Sequence, residues 1–371
     1  MTPLPGPTKP LRIEVMPCVF PNAAGLDIGS TEIVAAVAPD RCAEPVRVFG
    51  AFTPDLHALV DWLVSLGIDT VALESTGVYW IPIYELLEQH GITRYLVNGR
   101  HVKMLPGRKS DWNDAQWLQK LHALGLLQGS FRPDVEICAF RTLVRYRAEL
   151  IQHRAPHLLH MQKALIEMNL QLSIVLRDST GVTGQAIMRA IVAGERDPAR
   201  LAEFRASNGK ASVPQIIKAL TGTWQAEQLF IVEQALTLFD HYTERIAACD
   251  RELEQMLAAM ESRGAVDAPL PDLPAAKRTS NTKNAPAAST RAQLARIVGV
   301  DLVEVAGLSA STVQTILSEI GTDMNRFPTV KHFASWLGLA PHNDSWVATS
   351  QTPTYSHHKI SSSIRLVIRL L

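Results

Sequence analysis

The sequence predicts an α/β sheet domain near its start, a long helical region after it and a small helical domain at its end. Between residues 25 and 98, short β-branched runs alternate with helical segments. Between 226 and 262, apolar residues recur in heptads. Residues 264–291 are rich in Ala, Pro, Ser, Thr and Lys and poor in large apolar side chains, the composition of a linker that sets the last segment apart. With 371 residues and 47% hydrophobic content, the chain has material for two or three cores.

In order along the chain, residues 1–22 carry prolines at 3, 5, 7, 10, 17 and 21, a spacing that forbids regular helix and reads as a loose leader. Strands are expected at Leu26–Ile28, Ile33–Ala38, Val46–Phe52, Thr70–Glu74 and Thr93–Val97, with helices near 55–66 and 82–90. Helices follow at 111–127 and 138–176. In 226–262, Leu229, Leu236 and Leu257 fall at one heptad core position and Val232, Phe239, Ile246, Leu253 and Met260 at the other, with Thr243 and Asp250 as breaks. Such a coiled-coil-like arm packs on its own chain or on a partner's. Between the long helices, Gly181, Gly184, Gly194 and Asp197-Pro198 mark a small insert. After the linker, "LARIVGVDLVEVAGLSASTVQTILSEIG" reads as two short helices around Gly307, a helix-hairpin-helix pattern that presents backbone amides to phosphate.

Bulk properties exclude several classes. Formal net charge is zero, so any surface for nucleic acid must be local. Cys18, Cys42, Cys138 and Cys249 form no C-x-x-C pair, which speaks against a zinc or disulfide framework and fits a reducing cytoplasm. No run of about 18 apolar residues and no signal-peptide pattern occurs, so a cytoplasmic chain without a membrane span is expected.

Chemistry first shows in "GLDIGSTEIVAAVA", where Asp27 interrupts an apolar strand. Phosphotransferases of the actin and sugar-kinase type and nucleases of the ribonuclease H type both use such an arrangement. Glu74 ends the strand "TVALEST" at the edge where α/β proteins place their chemistry. Asp111 and Asp114, in "KSDWNDAQW" with Ser110 as N-cap, fall on one face of a first helical turn. Four clustered carboxylates raise one another's pKa unless divalent cations neutralise them, and paired Mg²⁺ ions are the usual solution at a phosphodiester. Singly, each acid reads as a turn, capping or ion-paired residue; the combination favours a nuclease-type site. The kinase alternative needs a second phosphate loop and a Gly-rich adenosine motif, and neither is found.

Further segments sharpen this. "ESTGVYWIPIYELLEQHG", "VNGRHVKMLPGRKSDWNDAQWLQKLHALGLL", "HMQKALIEMNLQL", "DSTGVTG" and "RFPTVKHFASWLGLAP", with the stretch around Asp27, resemble the DEDD-type transposases of insertion-sequence family one-ten, in its eleven-eleven branch. The resemblance implies a RuvC-like, ribonuclease H-type domain over 23–135 whose tetrad falls on Asp27, Glu74, Asp111 and Asp114 and binds Mg²⁺. It implies a helical coiled-coil region over 136–263 that builds dimers or tetramers, the linker over 264–291, and a C-terminal transposase domain over 292–371 that is divergent or truncated at its end. It also implies DNA as substrate, a structured guide RNA as partner, and a nucleophilic serine in a Ser-Gly-Gly-Lys-like element after the "GL-x-P" turn.

Here that element reads "HNDSWVATSQTP": Ser345 stands one residue short of the expected spacing, Trp346 replaces glycine, and Ser350 is the second candidate. A metal-dependent nuclease that uses water, and an inactive copy that still binds nucleic acid, stay open as alternatives. For nucleic-acid contact, Arg94, Arg100, Lys103, Arg108 and Lys109 precede the Asp111 pair with no acid among them. The 138–163 segment adds Arg141, Arg145, Arg147, Arg154 and Lys163 against Glu149 alone. His153, His157 and His160 lack a carboxylate or cysteine at ligand spacing and are not read as a metal site.

Overall fold

The computed structural model describes residues 17–74, 77–98, 114–176, 178–207, 211–262 and 284–336. The chain divides into two compact units, Met1–Arg132 and Pro133–Leu371.

In the first unit, β1 (Ala23–Ile28), β2 (Glu32–Ala36), β3 (Val46–Gly50), β4 (Thr70–Glu74) and β5 (Thr93–Val97) form one sheet in the order β3-β2-β1-β4-β5. β2 is antiparallel to β1 and β3, whereas β4 and β5 run parallel to β1. Helices α1 (Thr53–Ser65) and α2 (Trp80–Gln89) share a core with one face of the sheet, where Leu26, Ile28, Ile33, Val71, Leu73 and Leu96 are buried. The other face carries α3 (Asp114–Ala123), whose Leu118 and Leu121 pack with Val97. Strand positions follow the sequence reading to within three residues; the central strands β1 and β4, covered on both faces, are near-continuous apolar runs.

One expectation is corrected at the start of the chain. Residues 17–22, read as loose leader, are fastened to the unit: the amides of Val19 and Phe20 donate to the Ala123 carbonyl at 2.8 and 3.0 Å, and Arg41 donates to the Pro21 carbonyl at 3.0 Å and to the Asn22 side chain. Prolines prevent helix, but they do not prevent a strap that caps the end of α3.

The second unit is built on two long helices, α4 (Val135–Glu167) and α9 (Ala226–Ala259), packed against each other. All five residues expected at the second heptad position of the arm, Val232, Phe239, Ile246, Leu253 and Met260, are buried. Their partner is α4 of the same chain, and the two expected breaks are filled from it: Arg147 pairs with Asp250 at 2.5 Å, and Arg154 donates to Thr243 Oγ1 at 3.1 Å. The spacing of seven on both helices makes these successive rungs of one antiparallel register.

Where α4 ends, the sequence reading ran too long. The helix stops at Glu167 rather than 176, because Asn169 adopts φ 56° and turns the chain. The insert folds as short helices α5 (Leu172–Val175), α6 (Val182–Val192), α7 (Pro198–Glu203) and α8 (Val213–Ala219), which share a core with Met161, Leu165, Val232 and Leu236 of the long pair.

At the other end of the pair, α10 (Thr290–Val298), α11 (Ala310–Ile320) and α12 (Val330–Trp336) join Phe140, Val144, Leu253 and Leu257 in a common core. The 292–371 segment therefore has no core apart from the long helices among the described residues. The linker is also shorter than read: α10 begins at Thr290, and the carbonyls of Asn284 and Ala285 accept from Arg147.

Candidate active site

Leu26 lies opposite Leu73, so the next residues, Asp27 and Glu74, stand side by side at the C-terminal ends of adjacent parallel strands. Gly25 faces α3: a Cβ there would collide with the Ala115 carbonyl and the Gln119 amide nitrogen. Side chains two apart share a face and in-register neighbours on parallel strands do likewise, so Gly25, Asp27, Ala72 and Glu74 all project to the α3 side.

Helix α3 covers that face in a definite direction. Ala115 and Gln119 lie over Gly25, and Gln119 Nε2 donates to the Ala23 carbonyl at 3.3 Å, so the helix runs opposite to β1 with Asp114 at the Asp27 end. Asp27 thus interrupts an apolar strand at the level where helical cover runs out. Asp27, Glu74 and Asp114 are each half-buried.

The far end of α3 is pinned by His122, which is fully buried. Its Nε2 shares a 2.8 Å hydrogen bond with Thr70 Oγ1, and its ring packs on Phe20 at 5.0 Å and Tyr95 at 4.5 Å. Burial pushes its pKa down to about 4, partly opposed by Asp69, so the imidazole is neutral near pH 7.

Asp111, Arg100, Lys103, Arg108, Lys109, Ser345 and Ser350 lie outside the described residues. Among the described residues, no three His, Cys, Asp or Glu side chains come together as a metal-holding group, and no helix is long and apolar enough to cross a membrane. Arg141 and Arg145, expected to face nucleic acid, have tasks within the chain. Arg141 donates to the Ser318 and Glu319 carbonyls at 3.0 and 3.1 Å, capping α11, and Arg145 makes a two-pronged pair with Glu319 at 2.8 and 2.7 Å. His157 stacks on Tyr242, and burial together with His160 lowers its pKa.

Sequence reasoning missed two residues at this edge. Gly25 is the contact that lets α3 approach; its signal was a glycine two positions before a strand aspartate. Trp117, one turn after Asp114 and packed near Val97, buries its indole N–H with no acceptor among the described residues.

A sheet in this order, with acids at the ends of its central parallel strands and a helix end beside them, fits a ribonuclease H-like DEDD domain. Residues 24–169 match the DEDD transposase family model of the IS110 type, described as transposase, and residues 300–346 match the model described as Transposase IS116/IS110/IS902 family. Together the two take in just over half of the chain, which belongs to the IS110 family of transposases and is a DNA transposase/recombinase enzyme. The first match contains Asp27, Glu74, Asp111 and Asp114; the second contains Ser345 and stops short of Ser350. A search among curated proteins finds no match.

Proposed function

We propose that this transposase breaks and rejoins DNA strands at a metal-assisted site in which Asp27, Glu74, Asp111 and Asp114 hold Mg²⁺ and Ser345 is the nucleophile. The observation that carries the reading is the pairing of β1 with β4, which sets two half-buried carboxylates side by side while the Gly25 contact brings the Asp114 end of α3 toward them. Carboxylate oxygens are hard donors, and four carboxylates drawn from three segments suit a hard divalent cation. Bound there, the ion supplies charge neutralisation at a scissile phosphate.

The chain's own residues do the rest. Asp27 and Glu74, on neighbouring strands, hold their positions through the sheet ladder, and Gln119 and His122 fix the helix that carries Asp114. The Ser345 oxygen bonds to phosphorus as the bond to the leaving deoxyribose oxygen breaks, and the serine proton is returned to that oxygen through a base. One ester replaces another, so the reverse attack reseals a strand without an energy source. Ser345 is preferred to Ser350 because it lies within the matched segment.

A structured guide RNA directs the enzyme, and dimers or tetramers of the chain assemble on the DNA. Arg100, Lys103, Arg108 and Lys109 contact phosphates: they form a basic run in the sequence between β5, whose Val97 pairs with Glu74, and α3, which begins with Asp114. Arg141 and Arg145 join such a surface only by exchanging Glu319 for a phosphate.

The test is strand cleavage by Asp27→Asn, with Ser345→Ala and Ser350→Ala beside it. Asp27→Asn is expected to lower cleavage by at least about a thousandfold, several kcal/mol of transition-state stabilisation, and to leave DNA binding intact. Ser345→Ala is expected to abolish a trapped protein–DNA ester that Ser350→Ala retains. Cleavage by wild type without any covalent adduct would favour water as nucleophile.

A further inference from the structure

Two exposed aromatic side chains stand at the carboxylate edge and take no part in metal binding. β3 runs parallel to β1, since each is antiparallel to β2, so Gly50 ends at the same edge as Asp27, and Phe52 follows two residues later with 79% of its surface exposed. On the other side, β4 ends at Glu74, and Val78 and Tyr79, 66% and 51% exposed, precede α2.

Both rings sit on fixed backbone. The carbonyl of Phe52 accepts from the amides of Asp55 and Leu56 at 2.9 and 3.0 Å, and Ala51 donates to Thr31 at 3.1 Å. Next to Tyr79, Trp80 is turned inward: its Nε1 donates to the Gly77 carbonyl at 3.2 Å, its ring meets Tyr84 edge-on at 5.5 Å, and the Arg132 guanidinium lies 5.1 Å from its centroid. Gly77, at φ 60°, makes the turn. Rings displayed on rigid turns while an adjacent tryptophan is packed against the core are placed for contact with something outside the chain.

We infer that Phe52 and Tyr79 are positioning residues that stack on nucleobases of the DNA substrate, one on each side of the phosphodiester handled at the Asp27–Glu74 edge. This rests on the proposed function of that edge. The occupant is a DNA strand rather than a protein face because the strand that carries Asp27 lies between β3 and β4 in the sheet, so a carboxylate-bearing edge rather than one apolar patch separates the two turns. β3 and β4 are three strand spacings apart, about 14 Å, which leaves room between the turns that follow them for a phosphate and its two nucleosides. Stacking on an aromatic ring is open to every base, so the contact splays the strand without reading its sequence.

The inference is tested with the full-length protein, with its guide RNA where one is required, on oligonucleotides spanning the element's end and carrying 5-iododeoxyuridine at successive positions across the cut. Photocrosslinks are expected to map to Phe52 from one side and to Tyr79 from the other, and to persist in Asp27→Asn protein. Tyr79→Ala and Phe52→Ala are each expected to weaken productive DNA binding about 5- to 150-fold, read as KM or Kd, while Tyr79→Phe retains it. Unchanged binding by both alanine variants, or crosslinks that avoid both rings, overturns the inference. Protection of 50–54 and 77–80 from hydrogen exchange without DNA, growing with protein concentration, assigns the rings to a second copy of the chain and overturns it equally. The metal reading fails separately: Asp27→Asn that still cleaves refutes it and leaves the crosslink map standing.

Discussion

Charge is set into both compact units, and it does opposite work in each. In the helical unit, the Arg147 side chain is 6% exposed and each of its nitrogens has an acceptor: Asp250 at 2.5 and 3.2 Å, and the carbonyls of Asn284 and Ala285 at 3.2 and 3.1 Å. In the α/β unit, the residue beside Asp27 on the neighbouring strand is another carboxylate, Glu74. An interruption of an apolar pattern is structural where the facing element supplies the opposite charge. Where it supplies the same charge, two carboxylates raise each other's pKa, and this is the pair for which a cation is proposed.

The contrast is broken or sharpened most strongly at Asp250. Asp250→Ala leaves a buried guanidinium without its counter-ion and is expected to cost about 3–5 kcal/mol in urea unfolding of the helical unit, whereas Arg147→Met with Asp250→Leu recovers most of it. A neutral Asp250→Ala would erase the distinction between the units.

His122 extends the comparison to pH. Its folded pKa of about 4 lies below the ordinary 6.5, so on acidification the unfolded chain takes up the proton first. The contribution is complete above about pH 6.5 and is lost between 6.5 and 4, some 3 kcal/mol in total. Thermal melts across that window are expected to show the loss in wild type and a shallower slope in His122→Phe.

Gly25→Ala is the next smaller effect. The new methyl meets the backbone of α3, so a cost of about 1–3 kcal/mol is expected, with a cleavage defect larger than that destabilisation explains because the Asp114 end is lifted from Asp27. Cleavage assayed well below the melting temperature separates the two. Smallest is Arg145→Ala: with 60% of the side chain exposed, its pair with Glu319 is expected to contribute under about 1 kcal/mol and to weaken further in salt.

Much of the architecture is legible in residue order. β4 has its expected bounds because a strand covered on both faces must be apolar almost throughout, β5 because a short β-branched and aromatic run ends in the buried Leu96 and Val97, and the heptads of 226–262 name the buried side of α9. Asp27, Glu74 and Asp114 are recognisable as candidates because each sits where a strand ends or a helix begins. Less legible were the strap at 17–22, the early end of α4 at Asn169 and the task of Arg141, since each depends on a contact with residues far along the chain or on a single backbone angle.

Local order along the chain thus decided which segments are strands and helices, since periodicity and propensity act over a few residues. Register and partner choice belong to the tertiary structure. Only the pairing of Leu26 with Leu73 sets two acids 47 residues apart on neighbouring strands, and only the packing of α3 on Gly25 brings the helix end that carries a third to the same edge. The same holds for Thr243 and Asp250, breaks in a one-dimensional pattern that become rungs once Arg154 and Arg147 face them. The physical reason is common to all three: the energy of a charge depends on which charges and dipoles surround it, and folding brings those together from distant parts of the chain.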